Sequence, residues 1–433
     1  MTRSDKLLLN LRGIAAVVAE HLDAQLSLKL WDGSYIPLGK NAPKSLAIVI
    51  SDPGTISSLL RWPTLDRVIR LYAHGKIDFE GGTLIEVAQA LGSESTRRRF
   101  KQIPKMKLIK GFLPFLIAPS ARIATTRNYE GDEVGENSKN RNEEEYIQFH
   151  YDVSNEFYKL LLDTNMLYTC AYFTDWNNSL EQAQLDKLEM ICRKLRLQKG
   201  DRFLDIGCGW GALICHAAKH HGVHAHGVTL STEQYNYAVE RIKRENLGDQ
   251  VTIELNDFKY VEQKFDKISA VGLYEHIGVS AFPEYLRKVR TLLVPGGLFL
   301  HHSITRRSKR RKTRFTARAE QRALVRYIFP GGELDDIGHT IQELQHAKFE
   351  IHDVEGWREH YALTTKIWCE RLTERKQEAI ALVGEQTYRL WIAYLAGCSL
   401  AFTRGSAQIY QTLVSNTSRG PSFVPQTRAD LYR

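Results

Sequence analysis

The chain has 433 residues, 43% hydrophobic and 25% charged, and no apolar run of eighteen or more, which excludes a disordered or fibrous protein and a transmembrane helix. Six cysteines, at 170, 192, 208, 215, 369 and 398, form no C-x-x-C pair; this excludes a zinc ribbon or disulfide scaffold, offers no metal-binding motif and predicts a reducing, cytoplasmic compartment. A balance of 59 Lys and Arg against 50 Asp and Glu leaves +9, which points to an anionic partner, either nucleic acid or a membrane surface.

The first segment, "MTRSDKLLLNLRGIAAVVAEHL", reads as an amphipathic helix, because Asp5, Lys6, Arg12 and Glu20 interrupt any signal-peptide core. "LSLKLWDGSYIPLG" alternates apolar and polar residues around Asp32-Gly33, a hairpin signal. "SLAIVIS" reads as a buried strand, "TISSLLRWPTLDRVIRLYAHG" as helix with a glycine stop, and "YAHGKIDFEGG" as extended chain. "STRRRFKQIPKMKLIKGFLPFLIAPS" combines seven Lys and Arg with a greasy end. It reads equally as a solvated helix end leading into core or as a membrane-contacting edge. These elements predict a small α+β N-terminal domain over residues 1–118, in contact with lipid, membrane or a second subunit. A polar linker follows over 119–145.

From Tyr146 to residue 433, apolar runs alternate with helical stretches, the pattern of a parallel α/β sheet. Strands are predicted at "RFLDIG", "HAHGVTL", "VTIELND", "KISAVGL" and "GLFLHHSI", with helices around 211–221, 231–246 and 281–293. In "LDIGCGWGAL", Gly207, Gly209 and Gly211 lie between a strand and a helix. Backbone without Cβ atoms lets a ligand lie against such a loop, and the helix N-terminus offers unpaired N–H groups. The spacing is G-x-G-x-G rather than the dinucleotide-binding G-x-G-x-x-G. Asp205 falls at the strand tip.

This loop resembles that of class I S-adenosylmethionine (SAM) methyltransferases, which implies a Rossmann-like sheet with helices on both faces and SAM held at the glycines. Most such proteins end the second strand in an acid; here "GVTLSTEQ" supplies Thr229, Ser231 and Gln234. Asn256, Asp257 and Phe258, at the end of the third strand, suit an adenine ring, although Phe258 equally suits the core.

Further motifs are more specific: "FHYDVSNEFYKLLLDTNMLYTCAYF", "GLYEHIG", "LFLHHSI", "YIFPGGEL" and "HYALTTKIW". Together and in this order they resemble the cyclopropane-fatty-acid synthase family, which includes the mycolic acid cyclopropane synthases. The resemblance implies methylene transfer from SAM to a cis double bond of acyl chains on membrane phospholipids, with bound bicarbonate as the base. Carried over motif by motif, Cys170, Glu275, His302, the backbone at Ile304 and Tyr361 form the bicarbonate site. Tyr168 and Thr169 contact SAM. Aromatic faces at Tyr168 and Tyr172 are suited to stabilising positive charge. Taken singly, each residue has a plainer reading. Cys170 suits a small buried hydrophobe, Glu275 a helix N-terminus, and Tyr361 the core, and one of His301 and His302 must face away.

After "HHSI" the chain becomes basic. Arg306, Arg307, Lys309, Arg310, Arg311, Lys312 and Arg314 are followed by Arg318, Arg322 and Arg326, which continue from Arg314 at four-residue spacing. Such a stripe suits either an interfacial helix against lipid phosphates or a solvated face. The run lacks the stacking aromatics of a nucleic-acid module, so no nucleic acid is expected. Thr305 stands where the family has glycine, and Cys369 where an aromatic is expected. Two other outcomes therefore stay open: methyl-branched or methyl-unsaturated products, and a non-catalytic RNA or membrane binder. The resemblance further implies a homodimer, peripheral on the inner face of the membrane.

Overall fold

The computed structural model describes residues 2–22, 24–40, 42–92, 105–126, 153–308, 322–323, 326–330, 332–417 and 424–432. The chain divides into two compact units. The first comprises Met1–Asn128, Ala319–Ala323 and Lys376–Gly397, and the second the remainder.

In the first unit, α1 (Arg3–Leu22) precedes a hairpin of β1 (Ser27–Lys29) and β2 (Tyr35–Pro37). The hairpin turns at Gly33, whose φ of 80° lies in the left-handed region that glycine enters without cost. β3 (Ala47–Ile50) pairs parallel to β1, and β4 (Ile77–Glu80) pairs antiparallel to β3, giving the order β2-β1-β3-β4. The predicted single helix after β3 is two, α2 (Pro53–Arg61) and α3 (Leu65–Ala73). Pro63 has no N–H to continue the first, and Thr64 caps the second by accepting from Arg67 N–H. α4 (Leu84–Gly92) and α5 (Lys105–Ile117) complete the unit around a core of Leu7, Leu11, Leu30, Ile50, Leu71, Ile77 and Phe115.

The boundaries differ from those expected. Residues 119–126 are not free linker: Ala121 N–H donates to Gly54 O at 2.9 Å, and Thr126 is buried, within 3.1 Å of His74. The rest of the expected linker lies outside the described residues. Lys376–Gly397 also returns to this unit, because Arg389 donates to Asp78 at 2.8 Å and sits 5.3 Å over the Tyr72 ring.

The second unit opens with α6 (Asn155–Lys159) and α7 (Leu180–Leu195), then alternates β5 (Arg202–Ile206), α8 (Ala212–His221), β6 (His224–Thr229), α9 (Thr232–Arg244) and β7 (Val251–Leu255). β8 (Phe265–Val271) leads to α10 (Tyr274–Ile277) and α11 (Phe282–Leu292), and then to β9 (Leu293–Arg306). α12 (Ile337–His346), β10 (Phe349–Gly356), α13 (Arg358–Glu374), α14 (Lys376–Thr403) and β11 (Ala407–Asn416) finish the chain order. α14 starts in the first unit and is broken at Gly384, whose φ is 78°.

The seven strands run β10-β11-β9-β8-β5-β6-β7. All five expected strands are present and mutually parallel; β11 is antiparallel to both its neighbours. Strand alternation sends Phe203, Leu298 and Leu300 into one core with α7 and α8, and Leu204, Ile206 and Phe299 into another with α11 and α12. Helices therefore cover both faces. β10 and β11 were not among the predicted strands.

Candidate active site

The chain leaves β5 through three left-handed glycines at alternate positions, Gly207 at φ 77°, Gly209 at 55° and Gly211 at 79°. Gly207 and Cys208 N–H both donate to Val228 O at 3.0 Å, which folds the loop back against β6. A Cβ placed on Gly209 would meet nothing within 4 Å, so the loop borders open space, as a cofactor cradle requires. Asp205 accepts from Ser269 Oγ at 2.6 Å, and burial raises its carboxyl to about 6.

At the β6 tip the three expected polar residues meet. Thr229 Oγ1 donates to Gln234 Oε1 at 2.8 Å, and Ser231 caps α9 by accepting from Gln234 N–H. Asn256 N–H donates to Thr229 O. Asp257 caps the short turn at Phe258–Tyr260. Phe258 takes the core alternative: it is buried, edge-on to Tyr285 at 5.4 Å.

The proposed base residues lie on α10, β9, α13 and the segment ahead of α7. Glu275 sits on α10 at the end of β8, is 4% exposed, and accepts from Ile304 N–H through Oε1 at 2.6 Å. Ile304 thus contributes by orienting Glu275. Burial raises the Glu275 carboxyl to about 7, opposed by that hydrogen bond. The alternation of β9 settles the histidine pair. His301 packs edge-on to Tyr274 and near Phe282 and Phe299, while His302 faces Trp357 with ring centroids 5.2 Å apart. Burial, then Lys187, Lys194 and His301, hold the His302 imidazole well below its ordinary value, so the ring is neutral.

Cys170 is fully buried, directs Sγ towards Ala171 O and Trp357 O, and burial pushes its thiol far up. Tyr361 N–H donates to the same Trp357 O, and its ring stacks on Phe402 at 4.6 Å. Among the described residues, Glu275 Oε2 and His302 Nε2 are buried with no hydrogen-bond partner. Buried polar atoms are usually satisfied, so each of these two has free capacity for a polar ligand atom. Tyr168 lies between the rings of Tyr158 and Trp368, at 5.3 and 5.2 Å, and Tyr172 stacks on Trp357 at 4.7 Å.

Three residues of the site escaped the sequence reading. Lys187 is buried on α7, donates to Thr169 Oγ1 at 2.9 Å, and has its ammonium pushed down to about 8 by burial, against the pull of Asp163, Cys170 and Asp205. Lys194, also buried, lies 5.3 Å over the Trp357 ring. Trp357 itself joins Cys170, Tyr172, His302 and Tyr361. The available signal was in "LEQAQLDKLEMICRKL", where Lys187 and Lys194 occupy the apolar stripe of an amphipathic helix.

Arg306 corrects an expectation: it is the buried last residue of β9, with N–H bonded to Asp335 O at 2.8 Å, and cannot contact lipid as placed. A strand reaching that far pairs its backbone instead. Arg307, Arg322 and Arg326 are exposed; Lys309, Arg310, Arg311, Lys312, Arg314 and Arg318 lie outside the described residues. Among the described residues one group could hold a metal, Cys192, His216 and His221, with ligand atoms within 4.8 Å of one another. Both imidazoles contact one oxygen of Glu189, at 3.4 and 3.1 Å, and the group shares no residue with the site above.

The strand order, the antiparallel β11 and the glycine loop after β5 define a class I SAM-dependent methyltransferase. A model of the family described as mycolic acid cyclopropane synthetase matches residues 138–412, and the chain belongs to that family. It is similar to a "Probable fatty acid methyltransferase" of Pseudomonas putida, 36% identical over 96% of this chain and 98% of that protein. The cyclopropane-fatty-acyl-phospholipid synthase of Escherichia coli (strain K12) is 36% identical over 61% of this chain and 66% of its own length. The solved structure of mycolic acid cyclopropane synthase CmaA1 complexed with SAH and CTAB superposes with a TM-score of 0.61 at 30% identity, covering 64% of this chain and 99% of that one. The family is one of SAM-dependent methyltransferases acting on lipids.

Proposed function

We propose that the protein converts cis double bonds in acyl chains of membrane phospholipids to cyclopropanes, with bicarbonate held as the base by Cys170, Glu275, His302 and Tyr361. The observation that carries this reading is that Glu275 Oε2 and His302 Nε2 are both buried without a hydrogen-bond partner, with the Lys187 and Lys194 ammonium groups bearing on His302. Bound SAM supplies an electrophilic methyl group; its transfer to one alkene carbon puts positive charge on the neighbour, and loss of a proton from that methyl closes the ring. Glu275, raised to about 7, would accept a hydrogen bond from the hydroxyl of the bound base and so orient it. His302 and Tyr361 donate to its oxygens, and Cys170 offers a weak donor. The faces of Tyr168 and Tyr172 suit the transient cation.

Peripheral membrane binding is supported within the first unit by α5. Met106, Ile109, Leu113 and Leu116, spaced along one helical face, are exposed, while Phe115 is buried on another. Arg61 donates to Leu116 O and Ala118 O, covering carbonyls at the helix end that would otherwise meet lipid bare. The exposed Arg307, Arg322 and Arg326 favour anionic lipid. A homodimer on the inner face of the membrane fits this reading, and light scattering tests it.

The decisive experiment is incubation with SAM and vesicles of mono-unsaturated phospholipid, followed by gas chromatography–mass spectrometry of the released fatty acids. A product one methylene heavier and without a double bond is expected. The same added mass with the double bond kept would favour a second reading, C-methylation to branched or unsaturated chains, to which the Pseudomonas putida relative's name points. No added mass would overturn both.

A further inference from the structure

Three side chains form one row across adjacent strands. Glu355 of β10 lies opposite Gln411 of β11, and Gln411 lies opposite His302 of β9. Directly opposed side chains share a sheet face and touch. Gln411 is buried, and its amide bridges two neighbours: Lys194 Nζ donates to Oε1 at 2.8 Å, and Nε2 lies 2.9 Å from His302 Nδ1. Lys194 reaches this row from α7 and also contacts the Glu355 carboxylate, with Asp353 at 3.8 Å.

The donor inventory leaves one consistent arrangement. An ammonium group has donors and no acceptor, so Gln411 must turn its oxygen to Lys194 and its NH2 to His302. Nδ1 of His302 therefore accepts. A neutral imidazole carries one proton, which is left on Nε2, the atom that is buried without a partner. We propose that Lys194 is a positioning residue that, through Gln411, fixes His302 as the Nε2–H tautomer and aims that N–H as a donor at an anionic oxygen in the site. This rests on the reading of His302 as part of the base site. It makes His302 a holder of the base rather than a base itself.

Gln411→Glu is the sharp test, because it keeps size and gives Lys194 a better partner while reversing what His302 is offered. A carboxylate beside Nδ1 favours the imidazolium, whose Nε2 still donates. Once that ring loses its proton, the remaining one sits on Nδ1 facing the introduced carboxylate, and Nε2 becomes an acceptor. The groups bearing on His302 are Lys187 and Lys194 of α7, His301 beside it, and Glu355 and Asp353 through Lys194. The variant is expected to gain a new fall in kcat towards high pH, up to about tenfold per pH unit. KM for lipid and SAM affinity should stay near wild type. Lys194→Met should cost about tenfold to a hundredfold in kcat, as losing a group that orients a contacting residue does.

The tautomer is read directly in the full-length protein by long-range proton–nitrogen correlation on nitrogen-15 histidine, with His302→Gln for assignment. The expected wild-type signal is a protonated Nε2 and a bare Nδ1. A proton on Nδ1, or a Gln411→Glu pH profile parallel to wild type, overturns the proposal. Should wild type form no product while Nε2 is protonated, the functional reading fails and the positioning stands. Product with a protonated Nδ1 fails the positioning alone.

Discussion

Replacing Glu275 with Gln should raise stability and abolish turnover together, with a sign that depends on pH. Gln keeps an oxygen for Ile304 N–H and removes the ionisable group. Burial lifts the wild-type carboxyl from 4.5 to about 7. At about 1.4 kcal/mol per pH unit, keeping it ionised costs the fold about 3 kcal/mol. The sign is that of an acid whose folded value is raised. Between 4.5 and about 7 the folded state holds more protons than the unfolded, so wild-type stability falls as pH climbs through that window and levels off above it. The variant has no such slope. Denaturation of both proteins in carbonate-free buffer should coincide near about pH 4 and diverge by about 1–3 kcal/mol in favour of the variant near about pH 8. In the same preparation, SAM affinity should hold while kcat drops by about a hundredfold or more. Parallel stability curves would refute the burial argument; a parallel loss of SAM binding would refute the placing of Glu275 at the base site.

Lys187→Met should weaken binding of the base and remove an alkaline limb near pH 8 from the kcat profile, because the ammonium is already depressed to about 8. The same depression makes wild-type stability rise with pH from about 8 towards 10.5, a slope the variant should lack in urea denaturation. Gly209→Ala forces a side chain to φ 55°, at about 1–2 kcal/mol of strain. Its methyl would enter the open space beside the loop, so with SAM bound there as proposed, calorimetry should show SAM affinity falling more than stability. Ile109→Glu with Leu113→Glu on α5 should lower vesicle co-sedimentation without changing turnover of detergent-dispersed lipid, and equal losses would make that helix structural. Charge reversal of the basic residues within 307–314 should weaken vesicle binding most at low salt.

Much of the second unit could be read from local pattern. The run from "RFLDIG" to Gly211 needed no tertiary information, since a strand meeting three glycines at alternate positions can only make a bare loop before a helix. Most of the parallel strands were legible because both their faces are buried, which writes near-continuous apolar runs; the edge strand β7, with Thr252 and Leu255 exposed, is the exception. β11 was not. Its sequence "AQIYQTLVSN" carries Gln411 and Thr412, whose burial depends on partners far away in the chain. Pro63 ended α2 as a local rule would have it, yet residues 119–126 of the expected linker pack instead, because the Ala121 N–H is satisfied by Gly54 and Ser58 and Thr126 meets His74.

By itself the sequence determined the kind of sheet, the glycine loop after its first strand and the motifs of the family, all of them consequences of spacing within short segments. Only the tertiary structure decided which histidine faces Trp357, that Ile304 orients Glu275, and that Arg306 ends inside the sheet. It alone brought Lys187, Lys194 and Gln411 to the site. A charge inside an apolar stripe looks like an error along the chain; its purpose is visible only when the group that meets it, from another strand, is in place.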